Sequence, residues 1–304
     1  MTRNPGLPLD PGWIAGARAD ERDVQARTRR ISQRAPVSAD REVTLCLQAL
    51  ACIDLTTLAG DDTPARIRRL CATALSPLPG DLAGTVGLEP DANRTAGVCV
   101  YHRFLGEATR ILEGSAVRVC AVSAGFPHGL SPLEQRVGEV RASVGAGAQE
   151  VDVAIMRAHA LTGDWSALYD EIRAFRDAGG DAVLKVILST GELGTLTNVA
   201  RASRVAMMAG ADFLKTSTGM EKVNATLPAG LVMAEEIRAY RDRTGVAVGL
   251  KPAGGIRSAD QALDWLMLAG GLLGPEWTRP ELFRLGASSL LGELEARLRL
   301  RTGT

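Results

Sequence analysis

Lysine is scarce in this chain. It occurs only at Lys185, Lys215, Lys222 and Lys251, while the other 31 of the 35 basic residues are Arg. Arginine carries surface charge as well as lysine does but does not release its proton at workable pH. Four lysines confined to positions 185–251 are therefore candidates for work that only an amine performs. Chance survival under a drift towards Arg is the bland alternative. Histidine is scarcer still, at His102, His128 and His159, and forms no HxH or HExxH pair, which argues against a histidine-built metal site. The five cysteines (Cys46, Cys52, Cys71, Cys99 and Cys120) include no CxxC pair and are odd in number. That argues against a zinc ribbon or a disulfide scaffold and fits a reducing, cytoplasmic location. No apolar run approaches the ~18–20 residues of a membrane span. The N-terminal charges have no apolar stretch behind them, so neither a membrane partner nor a secretory leader is expected. Basic and acidic residues balance at 35 each, so no basic stripe for nucleic acid is expected either.

What is present is a long alternation of two textures. Residues 1–43 read as an N-terminal extension, rich in Arg, Asp, Pro and Gly, partly helical over roughly 17–34 and outside the main domain. From residue 44 to 304, short apolar runs recur: ACIDLTT (51–57), GVCVY (97–101), VRVCAVS (117–123), EVDVAI (150–155), AVLKVIL (182–188), DFLKTST (212–218), VAVGLKPAGG (246–255) and LFRLGASS (282–289). Segments with helical period lie between most of them. In DWSALYDEIRAFRDAGG, Trp165, Leu168, Tyr169, Ile172 and Phe175 fall on one stripe, and Gly179–Gly180 end it. The segment from Pro228 carries Pro in its first turn and stops near Gly245. Strands alternating with helices imply a parallel sheet. Eight such units in about 250 residues match a (β/α)8 TIM barrel. A doubly wound open sheet is second, because no GxGxxG follows the first strand.

Alternation sorts each strand into two faces. In EVDVAI, Val151, Val153 and Ile155 take the helix side, leaving Asp152 and Ala154 inward. In 246–251 the bulky Val246, Val248 and Leu250 point out; Ala247 and Gly249 leave room inside for Lys251. Phe213, Lys215 and Ser217 share a face, as do Val183, Lys185 and Ile187, whose direction is less clear. Four consecutive strands thus offer Asp152, Lys185, Lys215 and Lys251, with Lys215 and Lys251 near the strand ends where this fold places its chemistry. A single buried Lys reads as a structural ion pair. Two neighbouring inward lysines facing one carboxylate are harder to explain as structure, because unpaired buried charge is costly. A like-charged neighbour lowers a lysine's pKa and leaves a neutral amine able to attack a carbonyl and form a Schiff base. Lys185 is expected to pair with Asp152.

The last two loops read as a phosphate site. KPAGGIRSAD offers Gly254 and Gly255 for close backbone approach, Arg257 for charge, and Ser258 or Asp260 as a helix cap. GASSLLGEL offers Gly286, Ser288 and Ser289 at the start of a helix. Thr218 and Gly219 of TSTG add hydroxyl and backbone donors beside them. A lone GG or SS is usually a turn or a cap; both at the two expected loops favour phosphate.

These residues resemble the deoxyribose-phosphate aldolase family. The matches are DLTTL (54–58), VCVY (98–101), GFPHG (125–129), EVDV (150–153), LKVI with TGEL (184–187, 190–193), DFLKTSTG (212–219), VNAT (223–226), LKPAGGIR (250–257) and GASSLL (286–291), in order over roughly residues 45–295. GELGTLTNV and PEWTRPELFR are similar to the branch with longer chains. The resemblance implies reversible cleavage of 2-deoxy-D-ribose 5-phosphate to D-glyceraldehyde 3-phosphate and acetaldehyde, with no metal or organic cofactor. It implies that Lys215 forms the Schiff base, that Lys251 lowers its pKa and moves protons, and that Asp152 works with water as proton donor and acceptor. It places Asp54, Cys99 and Lys185 in the lining of the site. The residues alone do not say which lysine is the nucleophile.

Three departures stand out. Met220 occupies the place after the TSTG glycine where short relatives carry Lys, and Lys222 follows two residues later, either reaching the phosphate or standing as a loop cation. His102 replaces a Pro, as a loop substitution. LRLRTGT lacks a terminal Tyr that covers substrate in some relatives. The alternatives are another lysine-dependent barrel lyase of the transaldolase type and an inactive sugar-phosphate binder. A small-molecule sugar phosphate is the expected partner, and a homodimer or higher homo-oligomer is left open.

Overall fold

Every one of the eight apolar runs contains a strand. The computed structural model describes residues 3–33 and 35–303, so the ends of the expected segments at 1–2, 34 and 304 lie outside it. The strands are β1 (Ile53–Thr56), β2 (Gly97–Tyr101), β3 (Arg118–Ser123), β4 (Glu150–Ala154), β5 (Val183–Ile187), β6 (Phe213–Lys215), β7 (Gly249–Lys251) and β8 (Leu285–Ala287). All neighbours are parallel, in the order β7-β6-β5-β4-β3-β2-β1-β8. Parallel bridges Leu250–Phe283 and Ala253–Gly286 close the ring between β7 and β8. The fold is the (β/α)8 barrel. The later strands are shorter than their apolar runs. In β7, Pro252 follows Lys251 directly and has no N–H to extend a ladder.

Three helices precede the barrel: α1 (Pro11–Gly16), α2 (Glu21–Ser32) and α3 (Ala39–Ala51). The partly helical reading of roughly 17–34 corresponds to α2. Residues 17–20 are not helical, because Asp20 caps α2 by accepting from the backbone N–H groups of Arg22 and Asp23. The division expected at 43/44 falls inside α3. Ile14, Ala17 and Val24 are buried in the same hydrophobic core as the barrel helices. Asn4 is tied to the barrel by its Nδ2, which donates to the carbonyls of Met207 and Ala211, both at 2.9 Å.

The remaining helices are α4 (Pro64–Leu75), α5 (Gly80–Thr85), α6 (Leu105–Leu112), α7 (Leu133–Gly145), α8 (Arg157–Thr162), α9 (Trp165–Gly179), α10 (Leu196–Met208), α11 (Leu227–Thr244), α12 (Ala259–Leu273) and α13 (Leu290–Thr302). Each strand is followed by at least one. Their starts are marked by side-chain caps from Thr63, Asp164, Thr195, Thr226 and Ser258. Ser258 with Gln261 forms a capping box, so Ser258 is the cap that the sequence left open with Asp260. α9 ends at Gly179, and α11 ends at Gly245 in the left-handed region. The aliphatic outer face of each strand packs on this ring, as Val151, Val153, Leu184, Val186 and Leu214 do. All five cysteines are free and buried. Among the described residues no helix is long and apolar enough to cross a membrane.

Candidate active site

Alternation along the parallel strands decides which side chains enter the barrel. Register aligns Asp152 with Lys185, and Lys215 with Lys251. The interior set is wholly buried: Asp54, Asp152 and Lys251 have no exposure, and neither has Lys185, whose direction is thereby settled inward with Ile187. Small residues make the space. A Cβ on Gly286 would stand 2.7 Å from the Cβ of Ala253 and 3.4 Å from Cε of Lys251.

Asp152 is the hub. Its Oδ2 accepts from Nζ of Lys215 at 2.6 Å and from Nζ of Lys251 at 2.7 Å. Its Oδ1 accepts from Nζ of Lys185 and from Sγ of Cys120, both at 3.1 Å. Burial opposes ionisation of this carboxyl, but Lys185, Lys215 and Lys251 outweigh it and hold Asp152 well below the usual carboxylate range. Sequence reading placed one carboxylate before the lysines; the structure places three. Lys251 also donates to Oδ2 of Asp54 at 2.5 Å. Lys185 lies 2.5 Å from Oε2 of Glu150. Burial pulls both lysines down, but Asp152 and Asp54 hold the Lys251 ammonium above its ordinary value. Asp152, Cys120 and Glu150 lead the groups that do the same for Lys185. Lys185 thus pairs with Asp152 as expected, and carboxylates surround both lysines.

Glu150 and Arg284 were not among the residues picked from the sequence. Arg284 donates to Oδ1 of Asp54 at 2.5 Å and to Oε1 of Glu150 at 2.8 Å. The signal was available: Glu150 lies two residues before Asp152, and Arg284 two before Gly286, so both share the inward parity. Cys99, Cys120 and Asp152 bring two thiols and a carboxylate within 4.8 Å. Three lysine side chains already crowd that carboxylate, so the set suits amine chemistry better than a metal cation. Burial pushes the Cys120 thiol up, which keeps it a donor to Asp152.

Above this network, at the C-terminal ends of the strands, opens a cavity of about 410 Å³. Lys215 is the interior lysine that lines it, 3% exposed. Its Nζ lies 5.9 Å from the centre of the Phe126 ring. Gly254, Gly255 and Arg257 line one part of the cavity, and Gly286, Ser288 and Ser289 another, as the phosphate reading expects. Gly254 and Gly255 both have positive φ, near +80°, and a Cβ on Gly254 would meet Asn224 at 2.8 Å. Among the described residues, the backbone N–H groups of Gly255, Ser288 and Ser289 meet no protein acceptor. Ser289 precedes α13 without a side-chain cap, so that helix start faces the cavity ready for an anion.

Thr218 and Gly219 also line the cavity but are engaged otherwise. The carboxylate of Glu221 accepts from the Thr218 N–H at 2.9 Å and from the Gly219 N–H at 3.1 Å. Glu221 thus occupies the donors that the sequence offered to phosphate, and nothing in strand alternation or spacing signals it. Met220 faces the cavity, while Lys222 is exposed and outside its lining. Lys222 is a loop cation. His102 opens a short 3-10 turn, and its Nδ1 lies 3.1 Å from Oγ of Ser143.

Residues 48–276 match the model of the DeoC/LacD family aldolase. The chain is 49% identical over 295 residues to the deoxyribose-phosphate aldolase of Bos taurus, covering 96% of this chain and 93% of that one. It is 48% identical over 297 residues to the deoxyribose-phosphate aldolase of Homo sapiens, covering 97% and 93%. A crystal structure of a putative deoxyribose-phosphate aldolase from Coccidioides immitis superposes with a TM-score of 0.65 at 25% identity, covering 91% of this chain and 98% of that one. A Toxoplasma gondii structure, at 21% identity over 88% of this chain and 97% of that one, shares the fold with a TM-score of 0.72. A family model spanning most of the barrel and near-50% identity over nearly the whole length lead to one conclusion: the chain belongs to the DeoC/LacD aldolase family.

Proposed function

We propose that the protein cleaves 2-deoxy-D-ribose 5-phosphate reversibly to D-glyceraldehyde 3-phosphate and acetaldehyde through a Schiff base on Lys215. The observation that carries this reading is the placement of Lys215. Unlike Lys185 and Lys251, it forms part of the cavity wall, with free backbone donors, Ser288, Ser289 and Arg257 across the same cavity.

The chemistry follows from that placement. The neutral Lys215 amine adds to C1 of the open-chain aldehyde, and water leaves to give an iminium. As the C2–C3 bond breaks, its electrons flow into the iminium and the C3 hydroxyl gives up its proton. D-glyceraldehyde 3-phosphate departs and an enamine remains. Protonation of the enamine at C2 and addition of water then release acetaldehyde and return the amine. Asp152, working with water, is the acceptor and donor in these transfers. Its Oδ2 sits 2.6 Å from Lys215 and 2.7 Å from Lys251, so protons pass among the three without movement of the backbone. Asp54 holds Lys251, Lys185 holds Asp152 from the other side, and Cys99 packs beside them. Gly254, Gly255, Arg257, Gly286, Ser288 and Ser289 receive the phosphate, through backbone donors, hydroxyls and one guanidinium.

The test is product analysis with the purified protein. Incubation with 2-deoxy-D-ribose 5-phosphate is expected to yield acetaldehyde and D-glyceraldehyde 3-phosphate in equal amounts. Binding without acetaldehyde release, or release of a three-carbon unit from longer sugar phosphates instead, contradicts the reading.

A further inference from the structure

The N-terminal end of the barrel is not sealed. In this fold the inward positions of the strands are filled by packed, mostly branched aliphatic side chains. Here the inward position at the start of β3 is Arg118, on the face it shares with Cys120 and Val122. The corresponding position at the start of β4 is Glu150, and Arg284 stands just before β8. Beneath them opens a second cavity, of about 790 Å³, on the face opposite the candidate active site. Six alanines in its lining give it room. At Gly97, the first residue of β2, an added Cβ would stand 3.1 Å from Oδ1 of Asp54. The buried ions of the interior thus lie between two cavities.

The charged groups around the second cavity differ in what they are bound to. Glu150 and Arg284 form its inner wall but are committed to each other, at 2.8 Å, and to the interior, through Lys185 and Asp54. Arg3 lies 3.5 Å from Asp212, and its buried Nη1 has no hydrogen-bond partner. Arg94 is half-buried just before β2, and Arg118 is exposed on the neighbouring β3. Both line the cavity with no ion pair or side-chain hydrogen bond among the described residues. Asp181 and Glu281, also in the lining, are exposed and equally unpaired. Asp181 precedes β5, which is two strands from β3, and Glu281 precedes β8, which is two strands from β2. At the ordinary strand spacing each acid is about 10 Å from the arginine side.

Unpaired guanidinium groups on adjacent strands suit an anion. A carboxylate is satisfied by one guanidinium fork, whereas a phosphate monoester carries close to two charges and three acceptor oxygens, enough for two. The flanking carboxylates repel a second anionic group but accept hydrogen bonds from hydroxyls. We propose that this cavity is a second small-molecule site, taking a hydroxylated phosphate monoester whose phosphate sits on Arg94 and Arg118 and whose hydroxyls face the side of Asp181 and Glu281. Neither arginine takes part in the reaction proposed above, so the two readings stand or fall separately.

The experiment titrates the full chain calorimetrically, at low salt, with ribitol 5-phosphate, which has no carbonyl and forms no Schiff base. Two sites per chain are expected. Arg94→Ala and Arg118→Ala each weaken one of them by about tenfold or more and leave kcat and KM for 2-deoxy-D-ribose 5-phosphate unchanged. Arg257→Ala weakens the other. Arg141→Ala, which removes an exposed charge outside the lining, changes neither. Inorganic phosphate, which lacks the hydroxyls, binds the Arg94–Arg118 site at least about threefold more weakly. On the wild type alone, ribitol 5-phosphate protects Arg94 and Arg118 from phenylglyoxal, read by peptide mass, while Arg141 stays reactive; this arm needs no variant to fold. One site per chain, lost in Arg257→Ala, overturns the proposal. So do two sites that both ignore Arg94→Ala and Arg118→Ala, equal binding of inorganic phosphate, or labelling of the two arginines that ribitol 5-phosphate does not slow. One site that answers only to Arg94 and Arg118 supports the proposal and contradicts instead the phosphate pocket at the other end of the barrel.

Discussion

Lys215 lines the cavity, while Lys251, its register partner at the end of β7, stays beneath it beside Gly286. At this scale the sharpest test of proton transfer is Lys251→Arg. Charge is kept, but a guanidinium does not exchange its proton at working pH. Turnover is expected to fall by roughly a hundredfold or more with the thermal midpoint little changed; near-normal kcat refutes the role. Glu221→Ala frees the backbone donors of Thr218 and Gly219 for phosphate. The KM for the phosphorylated sugar is expected to drop by about threefold or more, while the rate on unphosphorylated 2-deoxyribose stays the same. An unchanged or higher KM contradicts a competing carboxylate. Much of this constellation was legible as residues. Period-two parity put Asp152, Lys215 and Lys251 on one side of their strands. The same parity reaches Glu150 and Arg284 when counted two residues further down. Which lysine faces the cavity was not legible, because β6 and β7 both stop at their lysine and the two lie in register. Glu221 was not legible at all, since its role arises from a loop folding back on itself.

At the scale of elements, the eight apolar runs located every strand, and helical period with its glycine stops located α9 and α11. The ends were less legible. Pro252 cuts β7 short, and residues 17–20 are non-helical up to Asp20, whose side chain caps α2. The small residues inside the barrel belong to this scale too. A Cβ on Gly249 would stand 2.3 Å from the Phe213 ring, which itself packs 5.8 Å from the Arg284 guanidinium. Gly249→Ala is therefore expected to destabilise the fold by about 1–3 kcal/mol through overpacking, read as a lower denaturation midpoint in urea. An unchanged midpoint shows that the ring yields freely.

At the scale of the molecule, the buried charge network ties stability to pH. Burial opposes the charge on Asp54, Glu150 and Asp152, yet their cationic partners hold all three carboxyls below their ordinary values. Groups depressed in the folded state bind fewer protons there than in the unfolded chain. Their contribution is full above about pH 4–5 and is lost as pH falls through the folded values. The melting temperature is expected to hold from about pH 6 to 8 and to fall steeply below about pH 4; a flat profile down to about pH 3 contradicts the network as drawn. The chain before the barrel belongs to the same folded unit. Its composition reads as loosely attached, but Ile14, Ala17 and Val24 enter the common core, and Asn4 bonds to the chain around β6. Single side chains of that kind are invisible in a composition average.

In the proposed reaction one amine, that of Lys215, carries the substrate. Borohydride reduction in the presence of 2-deoxy-D-ribose 5-phosphate or acetaldehyde tests it most directly, with the adduct mapped by peptide mass. One reduced adduct is expected, on Lys215, and none in Lys215→Met. No adduct, or an adduct on Lys185 or Lys251 with Lys215 unmodified, contradicts it.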